Sequence, residues 1–145
     1  MMPPVASTLS SQFGNYGPQL CTDSNPSTIC CTQNDLAPWI ALEFVTQVMV
    51  TKVQLLNRNV AGDRLENVEV RLTNSVPGSG ATMFTGGELL GTFAGPGTNA
   101  QVVDVEGQAT GKFVLVQMDN HNYLNLAEVK VFGEEAPSGI EAKIF

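Results

Sequence analysis

Short stretches in which apolar and polar residues alternate run along most of the chain. In "LENVEVRL" (65–72), three apolar residues, Val68, Val70 and Leu72, fall on one face of an extended strand, and the charged residues between them fall on the other. Similar strand patterns, rich in β-branched residues, occupy four more segments: 48–56, 100–106, 111–118 and 123–132. Glycine- and proline-rich turns separate them. The pattern predicts an all-β antiparallel sandwich or barrel.

Size and charge narrow the class of protein. The 145 residues suit one domain, which we place at 1–133, with a linker or tail at 134–145. The net charge is −7 with only seven Lys and Arg, so a nucleic-acid groove is not expected. The apolar runs are too short to cross a bilayer, so no membrane insertion is expected.

The segment 10–36 is long, polar and poor in strand-forming residues. A loop of this length in a compact domain is usually functional or is held by a covalent or metal constraint. A vicinal Cys30–Cys31 disulfide would be strained, because adjacent Cα atoms are closer than disulfide geometry prefers. A Cys21–Cys30 bond would close a small loop without that strain, and in a reducing compartment all three cysteines would be thiols.

Two further groups of residues carry candidate binding chemistry. Asp23 and Asn25, within "CTDSNPST", offer oxygen ligands of the kind that Ca²⁺ prefers, although such a stretch can equally be an Asx-turn. In "NRNVAGDRL", Arg58 and Arg64 offer planar arrays of donors for hydroxyl or anionic oxygens; the alternative is a surface ion pair of either arginine with Asp63.

Catalytic motifs are missing from the sequence. The single histidine lies in the loop "MDNHNYLN", without a serine or cysteine motif beside it, and no glycine-rich phosphate loop opens a helix. We therefore predict a protein that is not an enzyme.

In order along the chain, the segments "CTDSNPSTIC", "APWIALEF", "VTKVQLLNR…GDRLENVEVRL", "GKFVLVQ" and "LNLAEVKVFG" resemble the F-type lectin (fucolectin) family. That family lies within the discoidin-like, galactose-binding-like group. The resemblance covers about residues 6–133 and implies an eight-stranded antiparallel jelly-roll β-sandwich that carries a bound Ca²⁺ ion.

The resemblance also implies which residues would hold that calcium. They are the Asp23 side chain, backbone or amide oxygens of Leu20, Asn25 and Thr28, and, from the last strand, the Ala127 carbonyl and Glu128. A buried carboxylate at Glu128 would be costly without a cation; the alternative is an outward-facing strand residue. Cys30 is then expected to close the loop with Cys21 and help to hold the calcium turn.

The family's sugar site combines a histidine with two basic residues. The basic residues correspond to Arg58 and Arg64, with Asp63 beside them, but the histidine position is occupied by Cys31. Neutral histidine can accept a hydrogen bond from a sugar hydroxyl, whereas arginine can only donate. The family's fucose specificity is therefore not expected to carry over, and an acidic or sulfated glycan would suit an arginine-only pocket better.

The sequence thus predicts a calcium-stabilised carbohydrate-binding module that binds a glycan of a glycoprotein or cell surface through loops at 31–36, 58–64 and 76–88. The alternative is a structural module that kept the sandwich, lost the sugar site and docks onto a protein partner. Trp39 would be either a sugar-stacking platform or a core residue. We expect an extracellular or cell-surface location; since the first residues lack the segments of a signal peptide, this implies a mature or excised domain.

Overall fold

The computed structural model describes residues 1–78 and 82–137, and within these ranges the regular structure is almost entirely antiparallel β-strand. The strands are β1 (Ala6–Leu9), β2 (Cys30–Cys31), β3 (Asp35–Leu36), β4 (Trp39–Asn57), β5 (Val68–Thr73), β6 (Glu88–Phe93), β7 (Val102–Met118), β8 (His121–Asn122) and β9 (Asn125–Glu135). Two short 3₁₀ turns span Pro18–Cys21 and Gly62–Arg64. None of the helical turns in this part of the chain has the length and apolar character needed to cross a membrane.

Strands β4 and β7 are 19 and 17 residues long and run through both layers of a sandwich. Their mutual pairing shifts register between Glu43 and Val48. Before this shift, β4 pairs with β1 and with the end of β7; after it, β4 pairs with β9 and with the start of β7. One layer therefore holds β1, β5 and β6 beside the two long strands, and the other holds β2 and β9. The predicted antiparallel β-sandwich is confirmed.

The core lies between the layers and follows the predicted alternation. In β5, Val68, Val70 and Leu72 are buried, while Glu69 and Arg71 on the opposite face form an ion pair of 3.2 Å. Aliphatic residues of both long strands and of β9 complete the same cluster. Each such side chain contributes roughly 1.5–3 kcal/mol when it is fully buried.

The structure corrects some of the predicted strand boundaries. The predicted strands at 100–106 and 111–118 fall in one strand, which begins at Val102, because the chain stays extended through the intervening residues. Gly111 permits this path: a Cβ there would lie 2.6 Å from the backbone nitrogen of Thr73 on β5. Strand β9 continues to Glu135, two residues past the expected end of the domain at 133, and residues 138–145 of the expected tail lie outside the described ranges.

Candidate functional site

A surface cavity of about 210 Å³ brings together residues that are far apart in the sequence. Its lining consists of Phe13, Tyr16, Ile29, Cys31, Arg58, Arg64 and Tyr123. Three of the four residues predicted for ligand binding, Cys31, Arg58 and Arg64, are among them. The fourth, Asp63, is exposed on the adjacent 3₁₀ turn and does not line the cavity.

Backbone hydrogen bonds place Cys31 and two aromatic residues on one wall of the cavity. Strand β2 pairs with the start of β9, so that Cys31 lies opposite Asn125. The N–H of Phe13 donates to the carbonyl of Cys31 at 2.9 Å, and the N–H of Cys31 donates to the carbonyl of Tyr16 at 3.1 Å. The polar segment before β2 is thus fixed against that strand, and its aromatic side chains reach the cavity.

A buried asparagine organises the loop that carries the two arginines. The Asn57 amide, at the end of β4, donates to the carbonyls of Gly62 at 2.8 Å and Thr98 at 2.9 Å. Gly62 lies so close to the neighbouring loop that a Cβ there would approach the Thr98 carbonyl carbon to 2.5 Å. The loop is therefore packed against the 98–99 backbone, which fixes where Arg58 and Arg64 emerge.

Both arginines are half-buried, and neither forms an ion pair with any residue in the described ranges. The alternative of a surface ion pair with Asp63 is therefore not observed. The Arg64 guanidinium lies 4.7 Å from the centre of the Tyr123 ring, a cation–π arrangement that holds it without neutralising its charge. The donors of both side chains remain available to a ligand.

The electrostatic environment of the cavity also affects the pKa of the Cys31 thiol. Burial raises the pKa of this thiol, and the Asn125 amide and the two guanidiniums partly oppose the rise. The net effect is a pKa above the ordinary value, so Cys31 remains a neutral thiol at neutral pH. A neutral thiol is a weak donor and a weak acceptor, and it cannot replace the acceptor nitrogen of a histidine.

Three aromatic rings and Ile29 form the apolar part of the cavity, and the sequence pattern did not predict that these rings meet there. Phe13 stacks on Tyr16 with centroids 6.2 Å apart and meets Tyr123 edge to face at 5.6 Å. Phe13 and Tyr16 are 46% and 40% exposed, so their rings are accessible to a ligand. The available signal was the pair of aromatics in a segment otherwise too polar to need them.

Other residues that the sequence suggested for sugar binding do not line this cavity. Trp39 is only 6% exposed and packs with Ala41, Leu115 and Phe84, so it is a core residue and not a sugar platform. Part of the loop 76–88 lines a separate cavity of about 270 Å³, and residues 79–81 of that loop lie outside the described ranges.

The residues predicted to bind calcium from the 20–28 segment converge on one hydroxyl. The Thr28 hydroxyl lies 3.2 Å from the Leu20 carbonyl, 2.6 Å from the Asp23 carboxylate and 3.1 Å from the Asn25 carbonyl. The Asn25 N–H in turn donates to Asp23 at 3.0 Å. Oxygen atoms of all four residues therefore lie within a few ångströms of one another.

Glu128 of β9 completes this cluster from the other side. It is 3% exposed, so it is not an outward-facing strand residue, and its Oε1 atom has no hydrogen-bond partner. Burial, and then the nearby Asp23 carboxylate, raise the pKa of Glu128 to about 7. Burial also raises the pKa of Asp23, but hydrogen bonds from Thr28 and Asn25 outweigh that effect and lower it overall.

This cluster contains two close carboxylates, those of Asp23 and Glu128, and several carbonyl oxygens. Such hard oxygen donors fit a calcium ion, which would also give the buried Glu128 oxygen a partner. Ala127 precedes Glu128 on β9 and is buried there. The described residues contain no group of three or more His, Cys, Asp or Glu side chains placed to hold a metal. A cation here would depend on Asp23 and Glu128 plus backbone and hydroxyl oxygens.

All three cysteines are buried and are free thiols in the structure. Cys30 faces the core, where its side chain meets that of Cys21, and burial raises the pKa of Cys30 strongly. Cys31 faces the other way, into the cavity, because successive side chains of a strand point to opposite faces. The two adjacent cysteines therefore belong to different environments, and the Cys21–Cys30 disulfide remains a prediction.

No family model and no curated protein matches the chain. Among solved structures, a fucolectin from striped bass (Morone saxatilis) serum superposes with a TM-score of 0.78 at 20% identity, covering 91% of this chain and 46% of the other. This chain thus spans about half the length of that lectin. The protein has the F-type lectin fold.

Two further solved modules share this fold. A fucose binding module of Streptococcus pneumoniae superposes with a TM-score of 0.65 at 23% identity, covering 89% of this chain and 91% of that one. The CBM32 domain of AlyQ, in complex with 4,5-unsaturated mannuronic acid, gives a TM-score of 0.65 at 19% identity, with coverage of 89% and 95%. The resemblance noted from the sequence is therefore confirmed for the fold, the discoidin-like, galactose-binding-like β-sandwich.

Proposed function

We propose that the protein is a calcium-stabilised carbohydrate-binding module and that the cavity of Cys31, Arg58 and Arg64 is its sugar site. The observation that carries the proposal is this cavity, where two unpaired arginines and three aromatic rings meet. A saccharide-binding site requires aromatic rings that stack on the C–H face of the sugar. It also requires donors that bind the hydroxyl or acidic oxygens of the sugar. No catalytic role is part of the proposal.

The structural neighbours support a saccharide as the ligand. The pneumococcal neighbour is a fucose binding module, and the AlyQ domain was crystallised with an unsaturated mannuronic acid. Cys31 cannot accept a hydrogen bond as histidine does, so we propose that fucose itself is not the preferred ligand. The glycan would be presented by a glycoprotein or a cell surface.

Calcium is the second part of the proposal. The ion would be held by Asp23 and Glu128, with oxygens of Leu20, Asn25 and Thr28 and the Ala127 carbonyl. It would neutralise the paired carboxylates and give the orphaned Glu128 oxygen a partner. This site lies on the same segment, 20–31, that leads into Cys31 of the cavity. We place the module outside the cell or on its surface, where calcium is abundant.

A glycan array followed by isothermal titration calorimetry tests the sugar site. We expect saccharide binding that is lost in the Arg58→Ala/Arg64→Ala double variant and retained in Lys112→Gln, which removes a positive charge that pairs with Glu43 and does not line the cavity. Unchanged binding by the double variant would contradict the assignment of the cavity.

One observation favours the alternative of a protein-interaction module, namely that Cys31 occupies the position where the lectin pattern places its histidine. A folded protein that responds to calcium but binds no saccharide, neutral or acidic, would support that alternative. In that case a protein partner would have to be sought.

A further inference from the structure

The charged groups around the cavity are all hydrogen-bond donors, and the Tyr16 and Tyr123 hydroxyls can both donate and accept. Arg58 and Arg64 supply guanidinium N–H groups, and none of the seven lining side chains carries a carboxylate. The backbone carbonyls of Phe13, Tyr16 and Cys31 already accept hydrogen bonds from neighbouring N–H groups. This arrangement favours a ligand that offers hydrogen-bond acceptors and does not need acceptors from the protein.

A third donor lies directly behind the cavity. The Asn125 side chain is 3% exposed, and its amide nitrogen has no hydrogen-bond partner. Strand pairing places Asn125 opposite Cys31, and its amide lies close enough to the thiol to affect it. The sulfur of Cys31 is only a weak acceptor, so this buried amide, which lies beside two arginines, can still donate to an acceptor-rich ligand.

The aromatic residues of the cavity indicate which kind of molecule carries these hydrogen-bond acceptors. Phe13 and Tyr16 stack with their rings almost parallel and are partly exposed. Such a surface binds the C–H face of a sugar ring but has no use for an inorganic anion. The site therefore combines an anion-binding side with a ring-binding side.

We propose that the preferred ligand is an anionic saccharide, a uronic acid or a sulfated sugar, whose carboxylate or sulfate lies between Arg58 and Arg64, within reach of the Asn125 amide, and whose ring packs on Phe13 and Tyr16. This inference rests on the proposed carbohydrate-binding function. The chain carries a net charge of −7, so the attraction for an anion would come from Arg58 and Arg64 locally and not from the charge of the whole protein.

Matched oligosaccharide pairs test the inference by isothermal titration calorimetry. One pair is an oligouronate and its carboxyl-reduced neutral form, and the other is a sulfated oligosaccharide and its desulfated form. We expect each anionic member to bind at least about tenfold more tightly than its neutral partner, as charge-assisted hydrogen bonds require. The stronger of the two anionic ligands identifies the acidic group.

Variants identify the residues responsible. Arg58→Gln and Arg64→Gln are each expected to lose most of the preference for the anionic member, whereas Lys112→Gln, with the same loss of charge, keeps it. Asn125→Ala is expected to weaken the anionic ligand more than the neutral one. Unfolding curves of each variant show whether the fold is retained, and the Gln variants keep the proposal testable if Asn125→Ala does not fold.

The outcomes separate this inference from the function on which it rests. Neutral members that bind as tightly as the anionic ones, with binding still dependent on the cavity, would overturn the anionic class and leave the carbohydrate module standing. No binding of any saccharide would overturn both. Inorganic sulfate that binds as tightly as the sulfated sugar would show that the cavity recognises a free anion and not a saccharide.

Discussion

Removing calcium is expected to make the stability of the protein depend on pH through Glu128. This carboxyl is buried beside Asp23, and burial is the larger of the two causes that raise its pKa from 4.5 to about 7. A calcium ion bound between the two carboxylates would hold Glu128 ionised and remove the cost of its charge. The chelated protein has no such compensation.

The sign and size of the effect follow from the two pKa values of Glu128. Because the folded-state pKa exceeds the unfolded one, its contribution to stability is fully present below about pH 4.5 and is lost as the pH rises to about 7. The loss is roughly 3 kcal/mol, or roughly 6–12 °C in Tm for a domain of this size. Asp23, whose pKa is lowered, loses its contribution only at more acidic pH.

Differential scanning calorimetry with EDTA or with calcium, at several values between pH 5 and pH 8, measures this directly. With EDTA, Tm should fall as the pH rises; with calcium, the fall should be much smaller, so that the calcium shift is largest at high pH. Glu128→Gln should abolish both the pH dependence and most of the calcium shift. A wild-type protein with no calcium shift at any pH would refute the reasoning.

Three further predictions concern the loop, the cysteines and the core. Gly62→Ala should lower the unfolding free energy by roughly 1–3 kcal/mol in chemical denaturation, because its Cβ would meet the backbone of the 98–99 loop, and a loss below about 0.5 kcal/mol would contradict the packing described. Under oxidising conditions a Cys21–Cys30 disulfide should form and add roughly 2–3 kcal/mol, leaving Cys31 as the one thiol that is alkylated after denaturation; mass spectrometry of nonreduced peptides would expose any other pairing. Trp39 fluorescence should not change when a saccharide binds, and a ligand-dependent shift of its emission would place the sugar near the core cluster instead.

The fold could be predicted from the sequence because the alternation of apolar and polar residues along a strand reflects which of its two faces is buried. The prediction of strand boundaries failed where glycines interrupt the alternation, as between the two segments that form β7. There a glycine allows the chain to stay extended against a neighbouring strand, and the sequence of one strand does not reveal that close packing. The short strand β6, with Gly91 among its residues, was missed for the same reason.

The residue types alone indicated Asp23 with Asn25 and Arg58 with Arg64 as candidate binding groups, but only the family pattern joined them to Glu128 and Cys31. The pattern placed Cys31, Arg58 and Arg64 in one site, and the structure has them around one cavity. The pattern did not include Phe13 or Asn125, because their roles depend on how the segment before β2 and the start of β9 pair with Cys31. Such long-range neighbours leave no periodic signal in the sequence.

The most direct test of the central claim is an amide and side-chain NMR titration of the calcium-loaded protein with a saccharide that it binds. A sugar site at this cavity predicts that the largest shifts fall on the residues of the cavity, including Arg64 and Tyr123, while residues 76–78 and Trp39 stay unchanged. Shifts concentrated on the 76–78 loop, with Arg64 and Tyr123 unaffected, would contradict it.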